Sequence, residues 1–213
     1  MIDTTYWGKD FGVVVFKDAL SKKFIWWRFI SCKELLDDYK QGFKWCQDNG
    51  YIIKAVVSDG FKGLAKTIVP TPFQICQVHI QRAVQTKLTK KPKTQAGMEL
   101  LALNKELIEL SSDDFIKRLE NWQEKQFLNE KTTDDNGKWR YTHARLRSAH
   151  YTFKRNLAFL FTYESVKNLP KTNNGLEGEF AHLKTKLRVH SGLKFTNKMK
   201  FISNYFALKN NER

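Results

Sequence analysis

The order of hydrophobic patterns along the chain predicts an α/β fold: a mixed five-stranded sheet with flanking helices, interrupted by a long helical insertion. Three observations carry this expectation. Residues 1–79 alternate strand-like and helix-like periods in the order three strands, helix, strand, helix, strand; from about Ile80 to Ser165 the period is helical throughout; and two more amphipathic stretches close the chain. A chain of 213 residues is long enough for one ordinary domain, or one domain carrying a substantial insertion. The expected division is 1–79 for the first part of the core, 80–165 for the insertion, and 166–213 for the region that completes the core.

IDTTYWG and FGVVVFKD read as strands joined by a turn at residues 8–10, because β-branched and aromatic residues alternate on either side of a Gly-Lys-Asp break. KFIWWRFI, residues 23–30, is an almost continuous apolar run, as expected of a strand covered on both faces. Three short strands with tight turns form an antiparallel meander. In KELLDDYKQGFKWCQDNG the apolar residues Leu35, Leu36, Tyr39, Phe43 and Cys46 fall at helical spacing, and Asn49-Gly50 supplies a stop. Ile52 to Val57 returns to strand character and ends in Ser58-Asp59-Gly60; FKGLAKTI reads as a short helix and Phe73 to His79 as a fifth strand. In the insertion, MELLALNKELIEL is amphipathic, SSDDFIKRLENWQEKQF opens with Ser112 as the expected N-cap, and THARLRSAHYTFKRNLAFLFTYES is long and basic. Asn129 to Trp139 is polar and turn-rich, hence a loop. Pro170 breaks the chain before TNNGLEGEFAHLKTKLRVHSGL, a helix with two acids at its head, and TNKMKFISNYFALKN is the last helix.

The formal net charge is +15, which points to a polyanionic partner. From Lys138 onward there are sixteen Lys and Arg against four acids, so most of the excess lies in the C-terminal third. No apolar run approaches the roughly 18 to 20 residues that span a bilayer, and MIDTTYWGKD lacks a signal-peptide pattern, so the expected location is cytoplasmic and the membrane is not an expected partner. Cys32, Cys46 and Cys76 are odd in number and far apart, which argues against a disulfide framework.

Asp59 follows an apolar strand directly, the strand-end position at which α/β sheets present functional groups. Asp3 sits in the first strand; if that strand is central and pairs with the fourth, the two aspartates lie side by side. Asp10 and Asp18 are rivals but fall at a turn and a strand end. A carboxylate from the late helix would complete a cluster. Three converging acids repel one another and call for hard divalent cations, Mg²⁺ or Mn²⁺; two such ions can promote in-line phosphodiester displacement. On a helical wheel Leu176, Phe180, Leu183 and Leu187 form the buried stripe, with Glu177, Lys184 and Arg188 on one flank and Glu179, His182 and Lys186 on the other. The wheel leaves Glu177 and Glu179 both open, and Asn174 with Glu177 also reads as a capping box.

Asp3 in IDTTYWG, Asp59 in VVSDGFKGL, the sequence Cys76-Gln77-Val78-His79 and TNNGLEG with Glu177 together resemble the DDE transposases of the Mutator-like superfamily of insertion sequences, in the right order and over nearly the whole chain. The resemblance implies an RNase H-like core with an all-helical insertion before the last catalytic helix, and cutting and joining of DNA at transposon ends with two divalent ions. It makes Asp3, Asp59 and Glu177 the catalytic residues and metal ligands, prefers Glu177 to Glu179, and suggests His79 as a DNA contact. Lys184, Lys186 and Arg188 would then contact phosphates, joined by Lys138 and Arg140 beside Trp139, a base-stacking candidate; Trp122 reads as core. Cys76 and His79 have the spacing of half a zinc site but no second close pair, so zinc is not expected.

The implied partners are transposon-end and target DNA and further copies of the chain, as a homodimer or larger synaptic assembly associated with the nucleoid. Transposases of this kind usually carry an N-terminal DNA-binding region. Nothing precedes the first strand here, so the expectation is a catalytic part whose end-recognising region is carried separately. Only two residues precede Asp3, and a fraying terminus would loosen the metal site. The alternative is therefore a catalytically inactive remnant or domesticated module that only binds DNA.

Overall fold

A computed structural model of the chain describes residues 1–9, 11–31, 33–124 and 126–211; Asp10 and Cys32 lie outside the described residues. The fold is α/β and divides into two compact units, Met1–Gln74 with Thr162–Arg213, and Ile75–Phe161. Among the described residues no helix is long and apolar enough to cross a membrane.

The first unit contains β1 (Ile2–Trp7), β2 (Phe11–Lys17), β3 (Phe24–Ile30), α1 (Leu36–Asp48), β4 (Val56–Ser58), α2 (Leu64–Thr67) and all but the last residue of β5 (Phe73–Ile75). The second contains α3 (Gln77–Leu88), α4 (Gln95–Glu106), α5 (Ser112–Glu124), β6 (Lys131–Thr133), β7 (Trp139–Tyr141) and α6 (Ala144–Leu160), after which α7 (Asn174–Val189) and α8 (Phe195–Asn211) return to the first. β1, β2 and β3 form the expected antiparallel meander, with Asp3 opposite Val15 and Val15 opposite Trp27. Every residue of β2 is buried, because both faces of the meander are covered. On one face Phe11, Val13, Val15 and Phe24 pack with Leu176, Phe180, Leu183 and Leu187 of α7 and with Ile202, Tyr205 and Phe206 of α8. On the other, the Phe16 ring meets Phe43 of α1 at 5.0 Å and Trp26 at 5.2 Å. α1 comes so close that a Cβ on Gly42 would lie 2.6 Å from the Phe16 ring, so a side chain there would force the helix off the sheet.

Four sequence expectations are corrected. The five strands are hydrogen-bonded as a three-stranded and a two-stranded sheet, β1-β2-β3 and β4-β5, among the described residues, with β4 lying alongside β1. β4 spans only Val56–Ser58 and Tyr51 to Ala55 lies outside it; strands of three residues supply few ladder positions, and this keeps the two sheets separate. The fifth strand ends at Ile75, and Gln77 to His79 open α3 instead of continuing it. A buried stripe at helical spacing, Cys76, Ile80, Val84 and Leu88, overrides the local β propensity there, and Gln77 Nε2 donates to the Leu160 carbonyl at 2.9 Å, fixing the start of α3 against the end of α6.

The insertion is not all helical: β6 and β7 form a short antiparallel hairpin where a loop was expected. Asp134 builds its turn, accepting from Asn136 N at 3.1 Å and Lys138 N at 2.9 Å, with Gly137 at a positive φ of 75°. The cap of α5 is Ser111, whose Oγ accepts from Asp114 N at 3.2 Å; Ser112 is already inside the helix. The core of this unit includes Leu100, Leu107, Phe115, Leu119, Phe153 and Leu160, with the Phe115 and Phe153 rings 5.2 Å apart.

Candidate metal centre in the first unit

Asp3 lies near the start of β1, 7% exposed. The residues before it are paired: the Met1 amine donates to the Lys17 carbonyl at 2.8 Å and Lys17 N to the Met1 carbonyl at 2.9 Å, which ties Met1 to the end of β2. Burial pushes the amine down to about 5. Asp3 Oδ1 accepts from Thr4 N at 2.8 Å, and the Thr4 hydroxyl lies 3.0 Å from the Tyr39 hydroxyl of α1.

Asp59 follows β4 as the sequence predicts, and β4 runs beside β1. Its Oδ1 accepts from Ser58 Oγ at 3.1 Å and from Phe61 N at 3.2 Å, which fixes the carboxylate at the turn. Glu177 occupies the first turn of α7, and α7 packs on β1. The buried Asn173 ties the head of that helix to β1 by donating from Nδ2 to the Ile2 carbonyl at 3.2 Å, one residue before Asp3.

Asp59 and Glu177 act on Asp3. Burial pushes the Asp3 carboxyl up to about 7, and the charges of Asp59, Glu177 and Glu34 push the same way, against the hydrogen bond from Thr4 N. Glu34 escapes sequence reading because it falls in an apparently helical run; the helix begins at Leu36, and Glu34 N donates to the Tyr6 hydroxyl at 2.9 Å. Tyr39 belongs to the same neighbourhood: its hydroxyl is raised by burial and by the charges of Glu34 and Asp59, opposed by its hydrogen bond to Thr4.

Tertiary structure separates the two glutamates that the helical wheel could not. Glu179 Oε1 pairs with Lys17 Nζ at 3.0 Å, and Oε2 accepts from Tyr205 OH at 2.9 Å, so this acid is committed to a buried ion pair between β2, α7 and α8. His182 Nδ1 lies 3.0 Å from the same Tyr205 hydroxyl. Lys184, on the Glu177 flank, places its ammonium 5.9 Å from the Trp7 ring at the far end of β1, and Lys186 and Arg188 are exposed farther along α7. Asp18 caps its own hairpin, accepting from Ser21 N at 2.8 Å, and is not part of the cluster.

The remaining candidates belong to the second unit. Cys76 is buried beside the first turn of α3, and His79 lies within that turn, not at a strand end. Lys138 and Arg140 are exposed on the hairpin, and Trp139, 56% exposed, lies between them in β7. Trp122 is core, its Nε1 donating to the Ala96 carbonyl at 3.0 Å and its ring stacked on His150. No family model, curated protein or solved structure matches the chain.

Proposed function

We propose that the chain is the catalytic part of a DDE transposase resembling the Mutator-like insertion sequences, which cuts and joins DNA at transposon ends. The observation that carries this reading is the electrostatic coupling of the buried Asp3 carboxyl to Asp59 and Glu177, whose charges add to burial in raising it. On this reading the five strands are a divided RNase H-like core, with β1 and β4 side by side at its centre. The donor set suits Mg²⁺ or Mn²⁺: three carboxylates are hard ligands, and a carboxyl raised to about 7 by burial and by its acidic neighbours would ionise more readily beside a bound cation. Asp3, Asp59 and Glu177 would hold the ions; when bound, these supply Lewis acidity to the reacting phosphodiester.

The chain's own residues hold and orient. Ser58 and the Phe61 amide fix Asp59, Asn173 ties the head of the Glu177 helix to β1, and the Thr4 amide holds Asp3 Oδ1. Lys184, Lys186 and Arg188 run along the same helix as Glu177 and offer cations to a DNA backbone laid along α7. His79, Lys138 and Arg140 of the second unit would add DNA contacts. Transposon-end and target DNA are the proposed partners, with joining of two ends calling for two or more copies of the chain in a nucleoid-associated assembly.

A nicking and strand-transfer assay on end-bearing DNA with Mg²⁺ tests this. Asp59→Asn and Glu177→Gln should each lower cleavage by about 100-fold or more, and unchanged activity in either removes the assignment. DNA binding that weakens with salt, with no cleavage and no Mg²⁺-dependent rise in melting temperature, would instead identify a binding-only remnant.

A further inference from the structure

The second unit carries a surface that the metal centre does not use. A groove of about 560 Å³ opens between the α3–α4 connection and the exit of the hairpin, lined on one side by Lys91, Lys93 and Thr94 and on the other by Arg140, Thr142 and Arg145. These four cations are exposed, and no Asp or Glu is among the residues lining the groove. Nearby acids are already engaged: Glu130 lies 3.3 Å from His143 Nε2, and Asp134 Oδ1 accepts the two turn amides. Lys87 is turned inward, donating to the Ser148 carbonyl and to Thr152 Oγ1, and belongs to the fold.

Beside the groove stands a row of rings and cations. Trp139 is exposed on a hairpin whose strands bury almost nothing, so the ring contributes little to folding where it stands. The Lys131 ammonium lies 4.2 Å from the Trp139 ring centre, and the Arg147 guanidinium 4.0 Å from Tyr141 and 4.6 Å from Tyr151. A solvated basic surface explains the charges but not the exposed Trp139 ring and the half-buried Tyr141 and Tyr151 rings interleaved with them. Cations in an acid-free groove match a phosphate backbone, and an exposed ring matches the face of a base. A duplex hides its base faces in the stack, which favours a strand with unpaired bases.

We propose that the second unit binds single-stranded nucleic acid, with the backbone in the groove of Lys91, Lys93, Arg140 and Arg145 and a base stacked on Trp139. This deepens the DNA contact assigned to Arg140 above, yet the two readings fail separately: loss of metal-dependent nicking says nothing about this surface. The test is fluorescence anisotropy of the full chain with a labelled oligothymidine about 12 nucleotides long, against a duplex of equal length. Four phosphate contacts predict a slope of log K against log salt of about −3 for the single strand. Lys91→Glu with Lys93→Glu should flatten it by about 1.4. Trp139→Ala should weaken single-strand binding by roughly 5- to 150-fold, leave the slope unchanged and spare the duplex, and Trp139→Phe, which keeps a ring, should recover most of the loss. Single-strand affinity unchanged in both variants overturns the proposal, as does equal weakening of single strand and duplex by Trp139→Ala.

Discussion

The two units deploy their charges in opposite ways. In the first, Asp3 of β1 is buried and coupled to other acids, so that its carboxyl is pushed up to about 7; in the second, the cations of the hairpin and groove stand in solvent, where repulsion is screened. Burial makes charge expensive and therefore specific, whereas exposure makes it cheap and adaptable. The first arrangement suits a fixed metal centre, the second a variable polyanion.

The sharpest way to break this contrast is at the buried ion pair. The Lys17 side chain is 2% exposed and that of Glu179 14%, so Lys17→Met removes the buried cation that faces this carboxylate and should cost about 3 to 5 kcal/mol in chemical denaturation. Lys17→Met with Glu179→Leu should recover much of it, because both charges are then gone.

Asp3 gives the next largest effect. Folding raises its pKa, so its contribution to stability is full below about pH 4 and lost as pH rises through about 7. The metal-free protein should therefore lose as much as about 4 kcal/mol over that window through this group, Asp3→Asn should flatten the loss, and Mg²⁺ should oppose it only when Asp3 is present. Melting curves at pH 5 and pH 8, with and without Mg²⁺, measure all three.

In the second unit the titrating group runs the other way. His150 is 1% exposed against Trp122, and burial, helped by the charges of Lys154 and Arg147, pushes it down to about 4. Its contribution is full above about pH 6.5 and falls as pH drops toward 4, by up to about 3 kcal/mol; His150→Phe should remove that acid sensitivity. The smallest change is Ser111→Ala, which removes the α5 cap and should cost about 1 kcal/mol, leaving Mg²⁺-dependent stabilisation untouched.

Long periodic segments were legible before any coordinates. The meander, the α1 stripe through Tyr39 and Cys46, and the α7 stripe of Leu176, Phe180, Leu183 and Leu187 all appear where residue spacing puts them, because each repeats its apolar face over several turns or pleats. Short segments were not. Gln77 to His79 look extended until α6 fixes the start of α3, and the exposed hairpin has no apolar alternation to betray it. Asp59 could be selected from its strand-end position and Asp3 from its place in the first strand, whereas Glu177 was preferred to Glu179 only by the resemblance, and the field of Asp59 and Glu177 on Asp3 could not be read from the chain.

By itself, then, the sequence determined the α/β class, the basic balance and the acids available for a centre. Tertiary structure alone decided that Glu179 is bound to Lys17 and Tyr205 while Glu177 acts on Asp3, that Glu34 and Tyr39 join that neighbourhood, and that the cations of the second unit line an acid-free groove beside Trp139. The reason is physical: periodicity reports which face of one element is buried, whereas electrostatic coupling depends on distances between elements far apart in the chain.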